Sequence, residues 1–491
     1  MIAASLAAAL GFALRSGQDL NWDQLNYHLS VPFLLLHGGF WESVAPAGVQ
    51  SYFNPAVLVP QYLAIEHLSP VLATLALAVP QAIAFMVAGL ICREVAEGAA
   101  LPTLAGFGLC LASPVALSEL GTTYVDLVTA VPVLLAFWLL LRSRSWRTAG
   151  VAGLLLGSAA GLKLTNLVFL VGVPGCFLFH EEPAHRRLAG VAIVGLAAAV
   201  GFALAAGWWH LAVWERFGNP IFPYANGLFH SPDFPLVNNR DGRFLPQSAW
   251  DLIRWPIYWM FGGSPTPMLL SPAAEVDPRD ARFLLVVLGL PLSVTLAPPR
   301  YRGLLVGWCC MYVAWMFGFG IHRYMVALEI LTGAVLLALL LAWPAKLRLG
   351  AIALTVTLVV IVLHVPNWRR VPFAEHWRSI EAMSVALEQP ALVFLADAPT
   401  SYVAASLPPG TRFVGLRSEF DLGAGNDTVL TRQIRTLLKA GRVPYVLQIA
   451  ARPSDQMDLL AGWHLRTGPD CPTVSFGDAA FRLCRLEPTD D

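Results

Sequence analysis

Asp19-Leu20-Asn21-Trp22-Asp23-Gln24-Leu25-Asn26-Tyr27-His28 follows a short apolar segment, Met1 to Leu14, and precedes a long stretch that is not membrane-spanning in character. Two carboxylates, a histidine, a tyrosine and a tryptophan fall within these ten residues. Their setting is apolar. The chain has 491 residues, 56% hydrophobic and 13% charged, with a mean hydropathy of +0.61. Soluble domains carry about 25% charged residues, so the composition indicates a polytopic membrane protein. An ionisable cluster at the mouth of the first span of such a protein is a candidate site, because charge beside hydrocarbon is costly. The plainer reading is that Asn21 caps a helix and Asp23 decorates its positive first turn.

Working outward, Met1–Leu14 lacks a basic leader region and reads as a retained, short first span. Further apolar stretches are Val71–Cys92, Ala99–Leu117, Tyr124–Leu141, Ala149–Leu162, Leu164–Phe179, Leu188–Trp209, Phe283–Leu296, Leu304–Phe319, Met325–Trp343 and Ala351–Leu363, making eleven candidates in all. A full crossing takes about 20 apolar residues, so several are short or re-entrant. Lys and Arg orient them. One set of short loops holds Arg93, Arg142, Arg144, Arg147, Arg186, Arg187, Arg300, Arg302, Lys346 and Arg348. The opposite short loops hold only Lys163 and Arg323. The first set is expected to be cytoplasmic. Asp23, Lys163, Arg323 and the C-terminal tail then share the outer side, with the N-terminus inside.

The first outer loop, residues 15–70, contains two helical patterns, one over Asp23 to Leu36 and one over Phe53 to Leu68. Both fit amphipathic helices in the membrane interface, interrupted by Pro32, Gly38-Gly39, Pro46 and Pro55. The second, residues 214–282, contains Gly218-Asn219-Pro220-Ile221-Phe222-Pro223-Tyr224 and Asn238-Asn239-Arg240-Asp241-Gly242-Arg243. Trp250, Trp255, Tyr258 and Trp259 there suggest another interfacial helix. This loop reads equally as a substrate lid or as a structural cap.

Residues 1–365 thus form a transmembrane domain, and residues 366–491 read as a small extracytoplasmic α/β domain. Strands are expected at Ala391–Ala396, Arg412–Leu416 and Pro444–Ile449, and helices at Thr428–Leu438 and Ser454–Leu460. No Gly-rich phosphate loop is present. Five cysteines lie in spans as packing residues. Cys471 and Cys484 flank a Gly477-Asp478 hairpin signal. Counting outward from that turn puts 471 opposite 484 at a non-hydrogen-bonded position, where Cα atoms lie about 4.5 Å apart, within disulfide reach. Net charge is zero and by itself excludes no partner, but no basic stripe or nucleic-acid motif is present, so no nucleic-acid partner is expected.

Ionisable residues on the expected outer side are Asp19, Asp23, His28, Asp126, Lys163, His322 and Arg323. Asp126 reads as one turn inside a span, where a carboxylate costs roughly 2.5–3.5 kcal/mol on the insertion scale unless paired or hydrated. Snorkelling or a salt bridge to Lys163 is the structural solution. The functional one is a site for a phosphate-bearing lipid, with cations holding phosphate and a carboxylate taking a proton.

The stretches Trp22–His28 with Pro32, Tyr124-Val125-Asp126, Gly161-Leu162-Lys163, Gly218–Pro223 and Arg323-Tyr324 resemble bacterial members of the GT-C glycosyltransferase superfamily. That superfamily includes protein O-mannosyltransferases and the aminoarabinose transferase of lipid A. The resemblance spans residues 1 to about 345. It implies a multi-span enzyme of the bacterial inner membrane that takes a sugar from a polyprenyl-phosphate carrier at the outer face. The family's essential acid in the first outer loop falls on Asp23, and a second acid falls on Asp126. Where many members have two adjacent acids, this chain has Gln24 beside Asp23, so a divalent metal is left open and no other cofactor is implied. In the mechanism this suggests, Asp23 takes the proton of an acceptor hydroxyl. Arg323 and Lys163, with Arg240 or Arg243, neutralise the leaving phosphate. Tyr27, His28, His322 and Tyr324 complete the expected substrate-binding set. The acceptor is a lipid, glycan or protein. A lipid-linked sugar transporter and a non-catalytic envelope-assembly subunit are the competing readings.

Overall fold

The computed structural model describes residues 2–179, 182–237, 241–263, 275–296, 298–377, 387–451, 456–476 and 479–489. In chain order its helices are α1 (Ile2–Ser16), α2 (Ser30–Leu36), α3 (Leu58–His67), α4 (Pro70–Val95), α5 (Ala100–Leu111), α6 (Pro114–Glu119), α7 (Asp126–Arg142), α8 (Trp146–Leu162), α9 (Val173–Leu178), α10 (Ala184–Phe217), α11 (Asn226–Phe229), α12 (Asp251–Phe261), α13 (Arg282–Leu296), α14 (Pro299–Gly318), α15 (Val326–Leu341), α16 (Ala345–Val362), α17 (Val429–Lys439) and α18 (Met457–Gly462). Every apolar stretch marked in the sequence is helical, and the chain is a multi-pass, mainly α membrane protein. Among the described residues, α4, α10, α16 and the segment His322–Leu341 are long and apolar enough to cross a membrane by length and composition. The others are shorter, interrupted or less apolar. The stretch Ala99–Leu117 breaks after Leu111 and restarts as α6 with Pro114 in its first turn, a position that needs no amide hydrogen. Leu164–Gly172 is a 3₁₀ segment leading into α9.

The chain divides into two compact units. One comprises residues 1–16, 75–208 and 240–368, and the other residues 17–74, 209–239 and 369–491. The residues of the first outer loop, and those of the second up to 239, therefore group with the tail.

In the first unit α15 is central. Val326 to Leu340 are all buried, which is how a helix apolar on every face has to sit. Around it pack Phe85, Phe137, Phe283, Trp308 and Trp315. On α8, Gly153, Gly157 and Gly161 recur every fourth residue along one face and meet α10. A Cβ on Gly157 would lie 1.9 Å from the Ala198 carbonyl oxygen, and one on Gly153 would lie 2.4 Å from that of Val194. Small residues at this spacing let two helices approach closely. They bring the end of α8, and Lys163 just beyond it, to a defined place.

In the second unit, β1 (Gln18–Asp19) pairs antiparallel with β2 (Arg370–Val371), tying the start of the loop to the start of the tail. Gly17 has φ +85°, and a Cβ there would sit 2.2 Å from the Val371 carbonyl oxygen, so only glycine fits. The tail forms a six-stranded mixed sheet of β3 (Ala391–Leu395), β4 (Arg412–Gly415), β5 (Val443–Ile449), β6 (Leu465–Thr467), β7 (Thr473–Phe476) and β8 (Ala479–Pro488). The order is β4-β3-β5-β8-β6, with β7 added on β8. β3 runs parallel to β4 and β5, while β8 is antiparallel to β5. The β7–β8 register pairs Thr473 with Arg482, and Cys471 and Cys484 are joined by a disulfide with Cα atoms 4.2 Å apart. The turn residues Gly477 and Asp478 lie outside the described residues.

The expected interfacial helix over Asp23–Leu36 takes a different form. Gln24–His28 is a π-helical turn, followed by α2. Pro32 does not break α2 but sits in its first turn, where its missing amide hydrogen costs nothing. The segment is also buried. Ser30 Oγ lies 2.9 Å from Ser401 Oγ, and Ser401 donates to the Asn26 carbonyl, so the segment packs along the tail's 3₁₀ turn Ser401–Ser406. The motif Gly218–Pro223 has a packing role. Asn219 Oδ1 accepts from the Ile221 amide at 3.0 Å, and Phe222 stacks on Phe217 and Phe420 at ring separations of 4.2 and 5.6 Å.

Candidate functional site

Asp126 is the first residue of α7 rather than one turn inside a span. Its carboxylate is buried, and Lys163 Nζ donates to Oδ1. Arg323 Nη1 lies 3.5 Å from Oδ2. Arg323 belongs to the 3₁₀ turn His322–Met325 that leads into α15. Aromatic rings enclose both cations. The Arg323 guanidinium lies 4.2 Å from the Tyr124 ring centre, 5.5 Å from Tyr324 and 6.0 Å from Trp368, and Lys163 Nζ lies 4.4 Å from Tyr324. A buried guanidinium and a partly buried ammonium, held on one carboxylate beside ring faces, form a compact anion-binding arrangement. Of the predicted residues, Asp126, Lys163, Arg323 and Tyr324 are thus brought together.

The turn before α7 is over-determined. Gln81 of α4 donates to the Thr122 carbonyl at 3.1 Å and accepts from the Gly121 amide at 2.7 Å. Glu119, fully buried at the end of α6, accepts from the Leu127 amide at 3.1 Å and so caps α7. The start of α6 is held by Glu329 of α15, whose two carboxylate oxygens accept from the amides of Val115 and Ala116 at 3.0 and 2.9 Å. Arg282 lies 3.8 Å from Glu329 and is paired with Asp280 at 2.5 Å. It also donates to the Leu109 carbonyl and Ser113 Oγ. Trp368 donates to Ser118 Oγ at 2.7 Å. Sequence reasoning missed Glu119, Glu329, Asp280 and Arg282. A signal for Glu329 was present: it is the one acid in the otherwise apolar Val326–Leu341, and such a residue needs a partner.

His322 joins this second network rather than the Asp126 cluster. It is buried, 3.7 Å from Glu329, with its ring 4.7 Å from Trp259. Arg243 directs its guanidinium to Asp241, with the closest approach 2.6 Å, and is exposed. Arg240 lies outside the described residues.

Asp23, Tyr27 and His28 belong to the second unit and are all buried. Asn21 Oδ1 accepts from the Gln24 amide at 2.8 Å, so Asn21 is the cap, and Asp23 makes no side-chain cap. Asp19 accepts from the Asn21 amide, Asn21 Nδ2 and Gln24 Nε2 at 3.0, 2.7 and 3.2 Å. Gln24 Oε1 in turn accepts from Trp377 Nε1 at 3.2 Å. An acid at position 24 would lose its donor to Asp19 and set two carboxylates against each other. The amide there therefore has a local reason. Tyr27 packs edge-on to His28 at 4.3 Å and to Phe53 at 5.8 Å. Among the described residues no three His, Cys, Asp or Glu side chains gather as metal ligands would.

Comparison with known proteins follows this geometry. The family described as glycosyltransferase family 87 matches residues 52–297, half of the chain. The match includes Asp126, Lys163 and the Gly218–Pro223 motif but neither Asp23 nor Arg323. Among solved structures, ArnT from Cupriavidus metallidurans in the apo state is 14% identical with a TM-score of 0.58, covering 99% of this chain and 97% of that one. ArnT from the same organism bound to undecaprenyl phosphate is 13% identical with a TM-score of 0.59, covering 98% and 97%. At such identity the likeness is one of fold. No curated protein matches the chain significantly.

Proposed function

The chain belongs to glycosyltransferase family 87, within the GT-C superfamily, and from that premise we propose that it moves a sugar from a polyprenyl-phosphate carrier to an acceptor hydroxyl at the outer face of the bacterial inner membrane. The observation that carries this reading is the pair of cations, the partly buried Lys163 and the buried Arg323, held on Asp126 among Tyr124, Tyr324 and Trp368. The guanidinium fork matches two phosphate oxygens, and the ammonium adds a compact charge. The carrier class is taken from the fold's likeness to ArnT bound to undecaprenyl phosphate.

In this reading Asp126 presents the two cations until the carrier phosphate takes its place on them. Asp23 accepts the proton of the acceptor hydroxyl as its oxygen attacks the anomeric carbon, a contribution of roughly 10²–10⁴-fold. Phosphate leaves as an anion neutralised by Lys163 and Arg323, so no general acid is needed. A single displacement inverts the anomeric carbon. The N-terminus is cytoplasmic and the tail lies outside. The test is a reconstituted assay with a radiolabelled polyprenyl-phosphate sugar. The expected result is transfer with inverted configuration. Passage of the intact lipid-linked sugar across the bilayer, with no transfer, would favour the transporter reading and overturn this one.

A further inference from the structure

The tail takes no part in the mechanism above, yet its sheet is built like one that binds a ligand. β3 is flanked by β4 on one side and β5 on the other, all three parallel, so the chain leaves β3 in one direction and later crosses to its other side. In open α/β sheets ligands sit in the crevice outside the carboxyl ends of the strands, at such a switch point. Here that end of the sheet holds a piece of the same chain. Asp397, just after β3, ties the strand ends together by accepting from the Ile449 amide at 2.8 Å. Ser401 follows in the 3₁₀ turn Ser401–Ser406 and donates to the Asn26 carbonyl. Val44 pairs in parallel with Val414 on the outer edge of β4, and Glu419 accepts from the Val49 amide at 3.4 Å.

What is held there is the turn that follows Asp23. Gln24–His28 is π-helical, and π turns are rare and frequently mark functional sites. The Asn26 carbonyl accepts from Ser401 and, at 3.0 Å, from the Ser30 hydroxyl. Ser30 belongs to the segment and moves with it, whereas Ser401 is fixed to the sheet. The Asn26 side chain donates to the Ala47 carbonyl and Gln50 Oε1 at 3.3 and 3.0 Å. Pro32 has no amide to offer the His28 carbonyl an α-helical bond. We propose that Ser401 is a positioning residue for sugar transfer: its hold on Asn26 keeps the turn π-helical and so sets how Asp23 presents its carboxylate. The inference rests on the proposed role of Asp23 and gives the tail a part in the reaction. Without the hydroxyl the turn relaxes toward the α-helix, whose tighter winding rotates Asp23 against Asn26, Tyr27 and His28.

The experiment measures steady-state transfer and undecaprenyl phosphate binding in the full chain, reconstituted in nanodiscs, for wild type, Ser401→Ala, Ser401→Thr and Asp23→Asn. Ser401→Ala is expected to lower kcat about ten-fold, the worth of one hydrogen bond. Donor KM and undecaprenyl phosphate affinity should stay unchanged, because Lys163 and Arg323 belong to the other unit. Ser401→Thr keeps the hydroxyl and is expected to recover most of the rate. A residue that only supported the fold would reduce the amount of active protein and leave kcat per carrier-binding site as it was. Wild-type kcat per site in Ser401→Ala, or a parallel loss of undecaprenyl phosphate binding, therefore overturns the inference. Should the alanine variant not accumulate, Ser401→Cys takes its place, similar in shape with a weaker donor. A reduced kcat then supports the role and an unchanged one overturns it. Wild-type transfer by Asp23→Asn would bring down the proposed function and this inference with it. Slow transfer by Asp23→Asn beside a fully active Ser401→Ala would bring down the inference alone.

Discussion

Asp23 and Asp126 both stand at the start of a helix after a polar turn, and the two turns solve one problem with different residues. A carboxylate at a helix start is normally drawn to the open amides of the first turn. At Asp23, Asn21 takes that duty, steadied by Asp19. At Asp126, Glu119 takes it from seven residues upstream. Neither aspartate is the one that caps. The surroundings then part. Asp126 holds two cations beside aromatic rings, whereas Asp23 is buried in a run of buried side chains that includes Gln24, Asn26, Tyr27 and His28. The comparison teaches that a helix-start acid becomes available for chemistry when a neighbour relieves it of capping, and that the groups around it then decide which chemistry.

The largest effect tests the Asp126 side. Asp126→Ala leaves the buried Arg323 and the partly buried Lys163 without their shared counter-ion, so a loss of about 3 kcal/mol in stability is expected in thermal unfolding of purified protein. An unshifted transition would show that the cations are hydrated and the pairing unimportant. Asp23→Asn is expected to behave oppositely, with normal accumulation and retained undecaprenyl phosphate binding but transfer lowered by roughly 10²-fold or more. Wild-type activity at equal protein in the membrane would sink the general-base role. Asp19→Asn is expected to disturb the turn itself, because Asp19 receives three hydrogen bonds that shape it.

Smaller effects sharpen the contrast. Arg323→Lys keeps the charge and loses the fork, so donor affinity measured by KM should weaken about ten-fold. Full retention would move the phosphate contact to Lys163 alone. Asn21→Ala removes the cap and should cost about 1 kcal/mol in chemical denaturation while leaving the pH dependence of transfer as it was. A changed pH profile would mean that Asn21, too, takes part in the chemistry.

Much of this arrangement was legible in the residues. The stretches that hydropathy marked are helical, because an apolar run in a bilayer has to satisfy its backbone internally and does so as a helix. Alternating apolar runs marked β3, β4 and β5, and the hairpin register placed Cys471 opposite Cys484. The pairing of Lys163 with Asp126 was foreseen as the structural solution to a charge near hydrocarbon. The burial of Asp23–Leu34 was not, since an apolar stripe looks the same whether it faces lipid or protein. Glu119 escaped because nothing in Ser118-Glu119-Leu120 separates a solvated acid from a buried one.

By itself, then, the sequence determined the membrane class, the position of the apolar helices, three strands and the hairpin of the tail, and the aspartates worth testing. All of these follow from local composition and periodicity. Only the tertiary structure decided which residues share a unit, which side chains cap the two turns, that Asp126 meets both Lys163 and Arg323, and that His322 lies beside Glu329. Those outcomes depend on contacts between segments up to several hundred residues apart, such as Ser401 with Asn26 and Arg323 with Asp126. Burial and charge pairing are properties of the packed neighbourhood, and no local pattern encodes them.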